Sequence, residues 1–153
     1  MRNSKLKIGD RIPVFELINE RNMLIRISPK DNKRRILFFY PKDETRVCTE
    51  QACSFRDEYS ELLELGYEVI GISGDTPSAH EKFIANHNLN FTLLSDKGGE
   101  VRKLFGATKL LGLIPWRKTF VIDENGRMIF EYEAMFEAQE HIHQVKQFIK
   151  NEK

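Results

Sequence analysis

The chain has little of what marks specialised protein classes. Cysteine is scarce, two residues in 153, too few for a disulfide-stapled secreted scaffold. No charge of one sign dominates: 24 lysines and arginines face 23 aspartates and glutamates, leaving a formal net charge of +1. A general binder of nucleic acid or anionic membrane needs a basic excess, so neither partner is expected. No apolar run nears the ~20 residues of a membrane span. The opening MRNSKLKIGDRIPVF has basic residues but neither the apolar stretch nor the small-residue cleavage site of a secretory leader, so the expected location is cytoplasmic. Repeats, low-complexity tracts and Gly/Ser linkers are missing too, and residues 1–153 read as a single domain.

What is present has the profile of a globular protein, 41% hydrophobic and 31% charged. A chain of this length buries about two-thirds of its unfolded surface. Residues 12–18 and 23–27 predict two short strands across a polar turn at Asn19–Asn22, an N-terminal β-hairpin. The continuous apolar run Ile36–Tyr40 predicts a strand buried on both faces, and Tyr67–Ser73 predicts another. Between them Phe55, Tyr59, Leu62 and Leu63 recur at helical spacing, with Gly66 as the stop. Pro77 opens a helix carrying Phe83 and Ile84, residues 91–94 form a short strand, and Glu100–Phe105 a brief helix. Thr119–Asp123 and Arg127–Glu133 predict a hairpin turned by Glu124–Gly126. Residues 137–150 place Ile142, Val145, Phe148 and Ile149 on one face of a last helix. The expectation is an α/β fold with a mixed central sheet flanked by helices.

Cys48 and Cys53 fall in the segment YPKDETRVCTEQACSFRD, after a buried strand ends at Pro41. That places Cys48 in the first turn of a helix, where unpaired backbone N–H groups and the positive end of the helix dipole favour the nucleophilic thiolate. Arg46 is expected to add positive charge beside it. Thr45, three residues earlier, can turn its hydroxyl toward the sulfur and toward a substrate oxygen. Helical positions five apart differ by ~7.5 Å of rise and ~140° of rotation, which separates their Cα atoms by roughly 8.6 Å. A disulfide needs about 4.4–6.8 Å, so these cysteines can bond only if at least a turn of helix opens. That geometry suits a switch better than a permanent bridge. From composition alone the pair reads equally as two small buried hydrophobes. Metal binding is disfavoured, because the cysteines lack a second ligand pair. His141 and His143 point to opposite sides of one helix, and His80 and His87 stand ~10 Å apart along another. All four histidines are expected at the surface.

At these residues the chain resembles the peroxiredoxins, in particular the bacterioferritin comigratory protein or peroxiredoxin Q subfamily. The family signature Pro-x-x-x-Thr-x-x-Cys stands as Pro41, Thr45 and Cys48. The longer subfamily pattern stands as Cys48, Thr49, Ala52, Cys53, Phe55, Arg56 and Asp57. The likeness runs on through GYEVIGIS, FTLLSD and RKTFVIDENG, over nearly the whole chain. It implies a thioredoxin-like fold. It also implies a thiol peroxidase that needs no cofactor, acts on hydroperoxides, is recycled by thioredoxin or a similar dithiol, and works as a monomer. By this resemblance Cys48 is the peroxidatic cysteine, Cys53 the resolving one, and Arg117 the active-site arginine. Pro41 packs over the sulfur, and Gln51 has a supporting polar role. Without the family pattern Arg117 reads as a solvated charge and Pro41 as a strand terminator.

One departure stands inside the signature. Arg46 and Val47 replace the subfamily's usual Pro-Gly, and a β-branched residue resists backbone conformations that glycine allows. The loop is therefore expected to approach the peroxide differently. Two rival readings differ in turnover: a non-catalytic redox sensor or binding module, and a plain disulfide reductase.

Overall fold

The computed structural model describes residues 6–152. The reading of the N-terminus as leaderless thus falls in part on residues 1–5, outside those described. In chain order the elements are β1 (Phe15–Asn19), β2 (Leu24–Ile27), β3 (Arg34–Phe39), α1 (Arg46–Glu64), β4 (Tyr67–Ser73), α2 (Pro77–His87) and β5 (Thr92–Ser95). They continue with α3 (Glu100–Leu104), β6 (Thr108–Lys109), β7 (Ile114–Pro115), β8 (Lys118–Ile122), β9 (Met128–Glu133) and α4 (Ala138–Asn151). Seven strands form one mixed sheet in the order β2-β1-β5-β4-β3-β8-β9. The three central strands run parallel, joined by α1 and α2, and antiparallel pairs close both edges.

The sheet is buried on both faces, which is why its central strands are almost wholly apolar. Along β3 the side chains alternate between two cores. Ile36 and Phe38, with Tyr40 just beyond, pack with Phe55, Tyr59 and Leu62 of α1 and with Ile142 and Val145 of α4. Leu37 and Phe39 face the opposite core with Phe105 and Phe120. Cys48 belongs to the first of these cores, so α1 is seated on the sheet from its opening turn.

The helix ends follow their sequence signals. Thr76 caps α2 by accepting from the Ala79 N–H at 3.1 Å, and Pro77 opens it. Gly66 takes the left-handed backbone, φ 90°, that ends α1. The expected elements are present, with boundaries moved by a residue or a few. Two details differ. Leu63 is 52% exposed while Leu62 is buried, because one residue is ~100° of helix rotation and carries Leu63 off the apolar stripe. The pair β6–β7, two residues per strand, has no periodicity to reveal it.

Candidate active site

Sheet register assembles the site. β8 runs antiparallel to β3 with Phe39 opposite Lys118, so Tyr40 and Arg117 leave the sheet side by side at the same end. The chain then passes from Tyr40 through Pro41–Thr45 into α1, and Cys48 stands in the first turn of that helix. The Cys48 thiol is buried and unpaired with any other sulfur. Arg117, only 2% exposed, reaches it: Nη1 donates to Cys48 Sγ at 3.2 Å and to Gln51 Oε1 at 2.7 Å. Its Nε donates to the Met135 carbonyl at 2.8 Å. None of these three acceptors carries a full negative charge until Cys48 ionises, so a thiolate would meet a guanidinium that is already aimed.

Gln51 lies one turn along α1 from Cys48 and is fully buried. While its oxygen holds Arg117, its Nε2 is buried with no partner among the described residues. Thr45 precedes the helix in the N-cap position but does not cap it, so the first backbone N–H groups of α1 have no side-chain acceptor. The Thr45 hydroxyl donates to the Lys42 carbonyl at 2.8 Å instead of turning its proton to the sulfur. A hydroxyl so committed keeps its lone pairs to accept from another O–H. Pro41 stands half-buried at the exit from β3.

Arg46 does not stand at the sulfur as expected. Its side chain is 78% exposed and pairs with Glu50 at 3.4 Å, one turn along the outer face of α1. Arg46 and Val47 are the first two helical residues, and neither has a positive φ. A β-branched residue therefore fits where the subfamily usually has glycine, and the left-handed residue of the loop is Glu44, φ 65°. Cys53 is half-buried further along the same unbroken helix, and its thiol is free.

Two histidines also depart from expectation. His143 is exposed and His87 half-buried, but His80 and His141 are fully buried. His80 Nδ1 meets Asp43 Oδ2 at 2.7 Å and its Nε2 meets the Leu94 carbonyl at 3.1 Å, which ties the loop before Cys48 to α2 and β5. Tyr40 donates its hydroxyl to Asp43 Oδ1 at 2.5 Å, and burial beside that carboxylate raises the phenol well above its usual range. The Asp43 N–H donates to Asp75 Oδ2 at 2.8 Å. Ligand atoms of Asp43, Asp75 and His80 lie within 4.8 Å of one another, the spacing of a metal site. Both Asp43 oxygens and both His80 nitrogens are already in those hydrogen bonds, however, and the group reads as a brace for the loop. Both histidines could have been suspected, since each falls on the apolar stripe of its helix.

The sequence profile of the AhpC/TSA family matches residues 8–130. The chain is similar to the chloroplastic peroxiredoxin Q of Gentiana triflora, 38% identical over 149 residues, covering 97% of this chain and 69% of that protein. Its likeness to the chloroplastic peroxiredoxin Q of Arabidopsis thaliana is 40% over 148 residues, covering 96% and 68%. Among solved structures, peroxidoxin BcpB from Mycobacterium tuberculosis superposes with a TM-score of 0.87 at 33% identity, covering 95% of this chain and 97% of that one. The fold of this chain is accordingly the thioredoxin-like fold of the peroxiredoxins, as its motifs imply. With the profile spanning most of its length and those relatives aligned across nearly all of it, the chain belongs to the AhpC/TSA family, on its peroxiredoxin Q branch, and is a peroxidase.

Proposed function

We propose that this peroxidase reduces hydrogen peroxide and organic hydroperoxides through Cys48. The observation that carries the reading is the 3.2 Å contact between the Arg117 guanidinium and Cys48 Sγ at the start of α1. The Cys48 thiolate attacks the terminal peroxide oxygen in line with the O–O bond. That bond breaks, the distal fragment leaves with the bonding pair, and after taking a proton it departs as water or an alcohol. Arg117 and the backbone N–H groups of the first turn stabilise the departing negative charge. Thr45 accepts from the peroxide's own O–H, and Pro41 shields the sulfur from water. Cys48 is left as a sulfenic acid.

Resolution requires the helix to open, since both cysteines lie within α1. The opening is expected at its uncapped N-terminal turns, because only the small side chains of Cys48 and Ala52 hold them in the apolar core, whereas Phe55, Tyr59 and Leu62 anchor the later part. The Cys53 sulfur then attacks Cys48, expels water, and forms an intramolecular disulfide. A dithiol donor of the thioredoxin type reduces it by exchange. One chain supplies both thiols, so the working unit is a single-domain monomer, and its dependence on such donors suits a reducing cytoplasm. No metal, haem or flavin is required.

Two substitutions test the cycle. Cys48→Ser should abolish peroxide consumption coupled to thioredoxin, and retained turnover would sink the assignment. Cys53→Ser should consume one equivalent of peroxide and stop, trapped as the sulfenic acid by mass spectrometry. Steady cycling of that variant with thioredoxin would mean that an external thiol performs resolution.

A further inference from the structure

We infer that His141 is a positioning residue for Arg117, because its imidazole ties together the two backbone segments that carry and aim the guanidinium. The inference rests on the role of Arg117 proposed above. One segment is β8, which begins directly after Arg117; its Thr119 hydroxyl lies 2.8 Å from His141 Nδ1. The other is the irregular stretch between β9 and α4, whose Met135 carbonyl accepts from Arg117 Nε. His141 Nε2 donates to the neighbouring carbonyl, that of Ala134, at 2.8 Å.

That second contact is the stronger hold on the stretch. The backbone bond from Ala134 N to the Arg117 carbonyl is long, 3.4 Å, the Met135 side chain is half-buried, and Phe136 is 78% exposed. Without His141, the turn beyond Glu133 keeps the long Ala134 bond and the Arg117 contact itself, and the guanidinium loses part of the frame that fixes its acceptor. The ring suits the task because it works neutral, one nitrogen donating and the other accepting. Burial, with the Arg117 charge nearby, pushes its pKa down to about 4. Its place is fixed by α4, whose buried stripe of Ile142, Val145 and Ile149 sets the helix on the sheet, and by the Tyr132 ring packed edge-on at 4.9 Å.

The bland alternative is a histidine that only satisfies buried polar groups and supports the fold. Thermodynamic coupling in the rate of Cys48 oxidation separates the two. Pre-reduced protein is mixed with one equivalent of hydrogen peroxide, and loss of the Cys48 thiol is followed by quenched-flow mass spectrometry. Arg117→Met should slow oxidation about 100-fold, the order found for removing one donor to a developing anion. His141→Leu should slow it about tenfold through misalignment, yet add nothing in the Arg117→Met background. His141→Gln, whose amide can still donate toward Ala134, should retain most of the rate.

An equal slowing by His141→Leu with and without Arg117, or no slowing at all, would overturn the inference while leaving the Arg117 reading intact. If Arg117→Met itself leaves the rate unchanged, that reading falls and takes this one with it. Should His141→Leu fail to fold, Thr119→Val removes one of the two bonds and carries the same comparison: a loss only where Arg117 is present supports the inference, and an equal loss in both backgrounds overturns it.

Discussion

His80 and His141 are both fully buried, and each ring makes two hydrogen bonds, yet their partners set them to opposite tasks. His80 lies between the Asp43 carboxyl group and the Leu94 carbonyl, one ring nitrogen on each. His141 lies between a hydroxyl and a carbonyl near Arg117, which one neutral ring satisfies. The first braces the loop that carries Thr45 toward α1. The second braces the backbone around Arg117. Cys48 is thus flanked by one brace on a carboxyl group and one on a hydroxyl and a backbone carbonyl. Burial, with the Arg117 charge nearby, keeps the second ring neutral.

Removing the brace on Asp43 should cost most. His80→Leu leaves Asp43, 6% exposed, without its imidazole partner, and should lower stability by about 3 kcal/mol in urea unfolding. A loss below ~1 kcal/mol would mean that this contact holds the loop no better than an exposed hydrogen bond and would erase the contrast.

The neutral brace should reveal itself through pH. The folded pKa of His141, about 4, lies below the usual 6.5, so between those values the unfolded chain binds the extra proton. Its contribution is fully present above pH 6.5 and is lost as the pH falls toward 4, on the order of 3 kcal/mol over that window. The charged and titratable neighbours are Arg117, Glu140 and Tyr132. Unfolding measured across the window should show a flatter acid limb for His141→Gln than for the parent, and identical limbs would refute the assignment.

A surface control should change little. Lys146 pairs with Glu58 at 2.7 Å and Glu61 at 3.2 Å, joining α4 to α1 on the outside. Lys146→Ala should cost under ~1 kcal/mol and leave the rate of Cys48 oxidation alone. A rate change there would mean that α4 influences the site by more than its buried face.

The fold was legible wherever a pattern was local. The run Ile36–Tyr40 announces a strand between two cores, and Phe55, Tyr59 and Leu62 announce the helix that starts near Cys48. The pair Cys48 and Arg117 was legible through family motifs, since by residue type alone Arg117 is one of 24 basic side chains. The braces were not legible. Their helical positions mark a buried face, but their partners lie far off in sequence: Asp43 is 37 residues from His80, and Thr119 is 22 from His141. Arg46 escaped for a related reason. Nearness to Cys48 along the chain says little about direction, and the helix turns that side chain outward to Glu50.

The pairing of Phe39 with Lys118 also bears on how such a chain can change length. The exposed tip of the β6–β7 pair, where Leu111 and Leu113 stand in solvent, can gain or lose residues without disturbing the alignment of Arg117 with Cys48. One residue inserted within β8 would instead, with Phe120–Ile122 holding their register, turn Lys118 and Arg117 to the opposite face and break the alignment of Arg117 with Cys48. Variation by insertion is therefore open to the tip and closed to the strand, although only a few residues separate them.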